Sequence, residues 1–206
     1  MNRSITRGVA GTLVFVATAA VGAGTRVPSP AGETALAVAR ATAAMDSLQV
    51  ALLSRLRAEL ERGGPTAAVS VCRDSAAVIT ARIARTQEVA IGRTSHRLRN
   101  PANAPHDWAR PTVEKAAGVK AAAESLRVFD LGDRVGVLRP IGTAPLCMSC
   151  HGSAETVRAA IGPVLATAYP EDAAVGFAPG DLRGFMWAEV PKAGTTAPES
   201  GGETRR

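Results

Sequence analysis

Aromatic residues are scarce in this chain: they make up 3% of its 206 residues, although hydrophobic residues account for 46%. An apolar fraction of that size is enough for a folded core, but the core must be built from Ala, Val, Leu and Ile. The length suits one domain with tails. We therefore expect a single domain that packs through small aliphatic side chains.

The sequence also lacks a long block of Lys or Arg, and its basic residues are not interleaved with aromatic ones. Scattered basic residues and a net charge of +6 are typical of a solvated basic surface rather than a nucleic-acid interface. We expect no nucleic-acid partner. An acidic redox partner would be compatible with this charge, although the charge does not identify one.

The N-terminal residues have the pattern of a signal peptide. Arg3 and Arg7 supply a positive start, the stretch 8–21 is apolar and uncharged, and Ala23 is a small residue suited to cleavage. A membrane-spanning helix needs about 20 apolar residues, and this stretch is shorter. Residues 1–23 are therefore predicted to be a signal peptide and the protein to be periplasmic. An uncleaved leader that anchors the protein to the membrane is the alternative.

Beyond the leader, we expect a linker at 24–32, one domain at 33–190 and a disordered tail at 191–206. The domain should begin with two long helices, at 33–62 and 65–85, because leucines recur every four residues and Gly63-Gly64-Pro65 separates the two. The leucine stripe, widened by Met45 and Leu53, comprises Leu48, Leu52, Leu56 and Leu60.

The rest of the domain alternates between the two kinds of secondary structure. Strands are predicted at 89–98, 126–131, 134–140 and 182–190, and helices at 106–123 and 154–168. A Gly132-Asp133 turn should join the second and third strands into a hairpin. This order predicts the α+β class, with an antiparallel sheet.

Cysteine and histidine are rare, with three of each, yet two cysteines and one histidine meet in Cys147-Met148-Ser149-Cys150-His151. This C-x-x-C-H spacing is the attachment signature of c-type haem. Two cysteines three residues apart can form thioethers with the two vinyl groups of one porphyrin, and the adjacent histidine can bind the iron. One motif predicts one covalent haem c held by Cys147, Cys150 and His151.

Other interpretations of the motif explain it less well. A structural disulfide between Cys147 and Cys150 leaves His151 without a role. A thioredoxin-like site would place the cysteines at the start of a helix that follows a strand, whereas Pro145 and Leu146 form a loop here. A zinc site needs another nearby pair of ligands, which the sequence does not supply.

The sixth position of the iron has several candidate ligands. Cys72 is the one cysteine outside the motif, and an unpaired thiol in an exported protein needs an explanation. It is either a ligand or a small buried apolar residue. His96 is read as a solvated strand residue and His106 as a capping or surface residue. Arg93, Arg97 and Arg99 alternate and should share one strand face, where one of them could pair with a haem propionate.

Several separated segments resemble a family of single-haem c domains of bacteria and cyanobacteria, long catalogued as a domain of unknown function. Cys147 to Gly152 is one of them, and the resemblance covers most of 35–190. The others are Val71-Cys72, Gly92-Arg93-Thr94-Ser95, Arg99 to Pro105 followed by Trp108, Tyr169-Pro170 with Asp172, and Gly176 with Gly180 to Gly184.

The resemblance implies a PAS-like fold, an antiparallel sheet flanked by helices, and a haem iron bound by the motif histidine and a cysteine sulfur. The matching cysteine is Cys72, and Arg99, Asn100 and Asn103 would shape the loop near the cofactor. His96 stands where relatives often carry an apolar residue, which makes it the alternative sixth ligand. No signalling segment follows Val190, so we expect a stand-alone protein.

The expected function is one-electron transfer or redox sensing through a low-potential His/Cys-ligated haem, with a redox partner protein that the sequence does not identify. Gas sensing, in which CO or NO replaces a labile thiolate, is the main alternative. A haem peroxidase is less favoured, since its distal base and charge partner would have to come from His96 with Arg97 or Arg99. We therefore do not expect an enzyme.

Overall fold

The computed structural model describes residues 29–193. The predicted signal peptide at 1–23, most of the linker at 24–32 and all but the first residues of the tail at 191–206 lie outside this range. The described residues begin inside the predicted linker, where helix structure starts at Pro30, and extend past Val190, since the last strand ends at Pro191.

A long helical run opens the domain. Helix α1 spans Pro30–Ser70, a π-helical turn covers Val71–Ser75, and α2 spans Ala76–Gln87. The Ser29 side chain caps α1 by accepting a hydrogen bond from the Gly32 N–H, which satisfies a free donor at the helix start. Gly63 and Gly64 leave helical geometry inside α1, so the predicted break between two helices is present as a kink.

The leucine stripe only partly marks the buried face of α1. Met45 and Leu48 are fully buried, but Leu52, Leu53, Leu56 and Leu60 are half-buried. Small residues on α1 do the closest packing against the sheet, and they are Ala37, Ala41 and Ala44. The leucine stripe correctly predicted that this segment is a helix. It did not identify the residues that contact the sheet, because alanines bring the helix backbone near the sheet.

Four antiparallel strands form the sheet, in the order β1-β4-β3-β2. Strand β1 is Ala90–Thr94, β2 is Arg127–Asp130, β3 is Arg134–Gly142 and β4 is Leu182–Pro191. The predicted hairpin is present: Leu131 N–H donates to the Arg134 carbonyl at 3.0 Å, and Gly132 has a φ of +87°, as a tight turn requires.

The two faces of the central strand β4 build two different cores. Met186, Ala188 and Val190 pack against α1 and α2. Phe185 and Trp187 face the opposite core, which also contains Trp108 and the short helix α3, Arg110–Glu114. The alternation follows from the two-residue period of a strand, and it separates the α1 side of the sheet from the tryptophan side.

Two predicted elements are wrong in extent. The strand at 89–98 ends at Thr94, because the Ser95 hydroxyl turns the backbone by accepting from the Arg97 N–H at 3.0 Å. The helix at 106–123 shrinks to α3. Its second half instead pairs with the start of β4, where Leu182 N–H donates to the Val119 carbonyl at 2.9 Å.

The cysteine motif lies between the sheet and the last helix. A 3-10 turn at Pro145–Cys147 runs into the short helix α4, Met148–His151, and helix α5 spans Ala154–Ala168 as predicted. Further 3-10 turns occupy Pro101–Asn103 and Ala121–Ala123. The chain is an α+β domain with helices flanking an antiparallel sheet, as expected.

Candidate functional site

Cys147, Cys150 and His151 lie on one tight turn of backbone. Cys147 N–H donates to the Ala144 carbonyl at 2.8 Å, and Gly152 N–H closes the turn on the Met148 carbonyl at 2.9 Å. A side chain at Gly152 would strike that carbonyl, so the turn requires glycine. Residues three apart on a helical turn lie on the same side, which brings both sulfurs towards one binding partner.

The His151 ring is held by the backbone of a neighbouring loop. Its Nδ1 lies 2.7 Å from the Ala174 carbonyl oxygen, which can only accept, so Nδ1 carries the proton. Burial, followed by the charges of Arg183 and Arg99, lowers the pKa of His151 to about 3. The ring is therefore neutral at ordinary pH, and its Nε2 has a lone pair suited to a metal.

The loop that supports His151 is joined to the motif by further backbone hydrogen bonds. Phe177 N–H donates to the His151 carbonyl at 3.0 Å, and Gly176 N–H donates to the Gly152 carbonyl at 2.6 Å. The Phe177 ring then stands edge-on to the His151 ring, with the ring centroids 6.4 Å apart. These contacts fix the imidazole in one orientation, as a metal ligand requires.

Arg99 connects the motif to the loop around Asp172. Its guanidinium forms an ion pair with the Asp172 carboxylate at 3.1 Å, where the two side chains are 8% and 10% exposed, and donates to the Cys150 carbonyl at 2.6 Å. Asp172 also accepts from the Ala174 N–H at 2.8 Å, and so helps to place the carbonyl that receives His151 Nδ1–H. Arg99 thus ties the Asp172 loop to the motif, while its expected place near a cofactor stays a prediction.

Cys72 lies beside the motif although 75 residues separate it from Cys147. It occupies the π-helical turn, and such turns inside α-helices occur frequently at functional sites. Cys72 and Cys150 pack against the same apolar cluster, which consists of Val69, Val157, Ile161, Leu165 and Tyr169. All three cysteines are free thiols. The fold therefore brings together every cysteine of the chain.

Several groups of the site act on the thiol of Cys150. Burial raises the pKa of Cys150, and nearby negative charge on Cys72 or Cys147 would raise it further, while the Ser149 hydroxyl and Arg99 act in the opposite direction. The charge on Cys72 also acts on Tyr169. Burial, and then this charge, raise the pKa of the Tyr169 phenol to about 12. The site thus combines an apolar cluster with the sulfur atoms of Cys72 and Cys150.

His96, the alternative ligand, lies beyond the end of β1 rather than on it. Its ring contacts Phe177 edge-on, with centroids 5.8 Å apart, and its buried Nδ1 has no hydrogen-bond partner among the described residues. Burial, then the charges of Arg97 and Arg183, lower the pKa of His96. Its neighbours are thus the loop that holds His151, whereas Cys72 contacts the cluster around Cys150.

The three alternating arginines do not share a face, because the strand ends before Arg97. Arg97 donates to the Val175 carbonyl at 2.8 Å and lies over the Phe177 ring. Arg99 is engaged with Asp172, and only Arg93 lies on β1. Arg93 is half-buried, and its pKa is lowered by burial and raised by the charges of Cys72 and Tyr169.

Asn100 and Asn103 belong to the turn after Arg99. Asn100 Oδ1 accepts from the Ala102 N–H at 3.0 Å, and this caps the 3-10 turn that ends at Asn103. Asn100 therefore shapes this turn, while the expectation that both residues lie near a cofactor stays a prediction. Any effect of Asn100 and Asn103 on a bound cofactor would be transmitted by Arg99, which is next to Asn100 in the chain.

Two methionines and the remaining histidine lie away from the motif. Met45 is sealed in the core between α1 and the sheet. The Met186 sulfur accepts from Arg139 at 3.3 Å. His106 lies on the tryptophan side, where Nδ1 is 3.0 Å from the Glu189 carboxylate and the ring stacks on Trp187. None of these three groups has a described contact with Cys147, Cys150 or His151.

Sequence reasoning missed two side chains at the site, Arg183 and Phe177. Arg183 lies over the Phe177 ring at 5.0 Å from its centroid and donates to Ser95 Oγ at 2.8 Å. Burial lowers the pKa of Arg183 to about 10. Arg183 lies in a segment that carried the resemblance and Phe177 follows another, Gly176, directly, but no local pattern assigns either residue to the site.

Comparison with known proteins gives two matches. The sequence model of the Tll0287-like family matches residues 28–191. A crystal structure of the cyanobacterial heme-protein Tll0287 superposes with a TM-score of 0.57 at 21% sequence identity, and the match covers 73% of this chain and 91% of that chain. At this identity, the structural match shows a shared fold. A comparison with curated proteins finds no significant match.

Proposed function

The chain belongs to the Tll0287-like family, and from this premise we propose that it is an exported protein that carries one covalent haem c and exchanges single electrons through it. The protein would serve as a periplasmic electron carrier or redox sensor. The solved relative is described as a heme-protein, which supports a haem here. The observation that carries the proposal is the pairing of a C-x-x-C-H motif with a His151 ring held by its Nδ1.

The residues around the motif fit a c-type haem. Cys147 and Cys150 are free thiols on one turn, as thioether formation requires. His151 donates from Nδ1 to a backbone carbonyl, which is the usual way in which a protein orients a metal-binding imidazole. Cys72 lies across the same apolar cluster. In this assignment, His151 and Cys72 would hold the iron, with His96 as the alternative to Cys72.

The protein's part is to position the groups that would bind the haem and to exclude water from them. Arg99 holds the backbone of Cys150 against the Asp172 loop, and the cluster around Leu165 and Tyr169 packs against Cys72 and Cys150. When bound, the haem supplies a one-electron couple whose potential an anionic cysteine ligand would lower. A site with two protein ligands has no open position, which favours electron exchange over catalysis.

Redox titration of the purified full-length protein tests this function. We expect one reversible one-electron transition at low potential, followed in the visible spectrum. The absence of a reversible transition in a protein that contains haem would contradict the proposal.

Gas sensing remains the second candidate because one observation favours it. Cys72 lies in a π-helical turn, and a turn of this kind can rewind into an α-helix if its side chain is released. Addition of CO to the reduced protein separates the two functions. A rapid and complete spectral shift would favour sensing, whereas a slow or partial shift is expected for electron transfer.

A further inference from the structure

The guanidinium of Arg183 has one edge that the protein leaves without a partner. Its Nη1 donates to Ser95 Oγ at 2.8 Å and to the Arg97 carbonyl at 3.1 Å. Its Nε is buried and has no hydrogen-bond partner among residues 29–193, and no hydrogen bond of these residues involves its Nη2. Since a buried donor without a partner is costly, the edge formed by Nε and Nη2 indicates an acceptor that the described residues do not supply.

Other arginines of the domain show what such an edge binds. Arg99 uses the same two nitrogens on Asp172, with Nε 3.2 Å from Oδ1 and Nη2 3.1 Å from Oδ2. Arg134 binds Asp133 in the same way, at 2.9 Å and 2.8 Å. A planar guanidinium and a carboxylate fit each other through pairs of parallel hydrogen bonds of this kind. The edge of Arg183 therefore has the donors of a carboxylate site.

No carboxylate of the described residues occupies this edge, since none forms an ion pair with Arg183. Burial lowers the pKa of Arg183 to about 10 and the charge of Asp172 acts in the opposite direction, but Arg99 holds both oxygens of Asp172. Asp181, two residues before Arg183, pairs with Lys120. The carboxylate that fits the edge has to come from a source outside the described residues.

The surroundings of Arg183 contain a second polar atom that lacks a partner. Arg183 Cζ lies 5.0 Å from the centroid of the Phe177 ring, and the His96 ring contacts the same phenyl group at 5.8 Å. His96 Nδ1 is buried and has no hydrogen-bond partner in the described part of the chain. A polar ligand beside Phe177 would give both side chains a partner.

We propose that the edge of Arg183 formed by Nε and Nη2 binds a carboxylate group. One source of this group is a propionate of the haem, and this source rests on the proposed function. The other source is a small free carboxylate. Phe177 contacts both Arg183 and His151, which favours the propionate, because propionates extend beyond the porphyrin edge and only one ring separates Arg183 from the proposed iron ligand.

Resonance Raman spectroscopy of the haem-loaded, full-length protein tests the first source. The propionate bending band responds to hydrogen bonds at the carboxylate, so Arg183→Gln should shift this band relative to the native protein. Arg183→Lys keeps the charge but lacks the two parallel donors, and it should shift the band as well. The lysine variant keeps the proposal testable if Arg183→Gln does not fold.

Arg97→Gln is the matched control. Arg97 lies over the same Phe177 ring, at 5.5 Å from its centroid, but it is exposed and its Nη1 donates to the Val175 carbonyl at 2.8 Å. Its removal deletes the same charge from the same ring and leaves the buried edge of Arg183 intact, so the band should stay in place. Equal shifts in Arg97→Gln and Arg183→Gln would contradict a direct bond from Arg183 to a propionate.

Calorimetric titration with acetate at constant ionic strength tests the second source. If the site takes a free carboxylate, acetate binds the native protein, Arg183→Gln weakens this binding by about tenfold or more, and the Raman band does not move. If a propionate fills the edge, the band shifts and the haem-loaded native protein shows no acetate binding that depends on Arg183.

The proposal is overturned if neither measurement depends on Arg183, that is, if the native protein and Arg183→Gln share the same propionate band and the same acetate titration. A native protein that carries no haem would instead refute the proposed function. The acetate titration of that same protein would still decide whether Arg183 binds a carboxylate.

Discussion

Cys72 is a single residue whose chemistry depends on its position in the helix. It lies in the π-helical turn Val71–Ser75, next to a cluster that it shares with Cys150. A lone cysteine in an apolar cluster is often just a small packing residue. Cys72 differs from such a residue because it lies beside the motif that contains His151 and two further thiols. Its proposed role therefore depends on tertiary contacts, and a spectrum of the iron can test it.

Substitution of Cys72 should change the ligand set of the iron. In low-temperature EPR of the ferric protein, we expect the native low-spin signal to be lost almost completely in Cys72→Ala and replaced by a high-spin signal. The reason is that the imidazole of His151 alone leaves one axial position without a strong ligand.

His96→Ala is the matched variant, since His96 is the other candidate in the site. Its EPR spectrum should stay close to that of the native protein. If the two variants behave in the opposite way, His96 and not Cys72 is the sixth ligand, and the low potential expected from a thiolate loses its basis.

At the scale of elements, the start of β4 is where the sheet and the site join. Gly184 has a φ of +156°, and a side chain there would collide with the Thr94 carbonyl and approach Ser95 at the end of β1. This close crossing positions Arg183 next to the Ser95 hydroxyl. The crossing of β1 and β4 thus places Arg183 at the site. The crossing is possible because Gly184 has no Cβ.

Gly184→Ala should lower the free energy of unfolding by at least about 2 kcal/mol, because the new methyl group overpacks a backbone contact and glycine's unusual conformation is lost. Gly180→Ala is the control: Gly180 has a φ of +85° with open space around its Cβ position, so only the conformational cost of about 1 kcal/mol applies. Urea denaturation measures both. Equal losses would show that the contact with Thr94 is unimportant.

The elements that local patterns define could be predicted, and those that tertiary contacts define could not. The helix at Ala154–Ala168 and the hairpin around Gly132 follow from capping, periodicity and turn residues. The region after α3 is rich in alanine and favours helix, yet Lys120 pairs with Asp181 in a β-bridge. Helical propensity is a weak preference, and the backbone partner at the start of β4 overrides it.

The same distinction holds for the site. The motif at Cys147 to His151 is local and was visible in the sequence. Arg183 was not, because its place depends on the crossing of β1 and β4 and on Phe177, which is folded back onto the motif. The Ala174 carbonyl that receives His151 Nδ1–H has no side-chain signature at all, so no sequence pattern could have identified it.

For the whole molecule, the tryptophan side of the sheet carries a charge network of its own. The buried Glu189 carboxylate accepts from Trp108 Nε1 at 2.8 Å and from Arg134 Nη1 at 3.0 Å, with His106 Nδ1 at 3.0 Å. These partners, His106 first, lower the pKa of Glu189 from 4.5 to about 2 against the opposing effect of burial. The network joins the segment before α3 to β3 and β4 and should control the acid stability of the fold.

Because the pKa of Glu189 is lower in the folded than in the unfolded chain, its carboxylate stabilises the fold above about pH 4.5 and ceases to do so as the pH falls through about 2. After allowance for solvent screening, we expect roughly 2 kcal/mol to depend on this group. Glu189→Gln should be less stable than the native protein at pH 7 and approach it near pH 2.

The free energy of unfolding of both proteins, measured from pH 7 to pH 2, checks this expectation. Glu61→Gln, which changes an exposed carboxylate on α1, serves as the control and should run parallel to the native curve. A constant difference between Glu189→Gln and the native protein over the whole range would show that the network contributes through packing and not through charge.

The most direct test of the account is whether a porphyrin is covalently attached at Cys147 and Cys150. The full-length chain should be produced in a bacterial host with a functioning periplasmic haem-ligation system and then treated with acid acetone. We predict that the protein keeps its colour and that its mass exceeds that of the polypeptide by one haem, while Cys147→Ala with Cys150→Ala loses both. A colourless native protein, or one that releases its pigment into the solvent, would contradict the account.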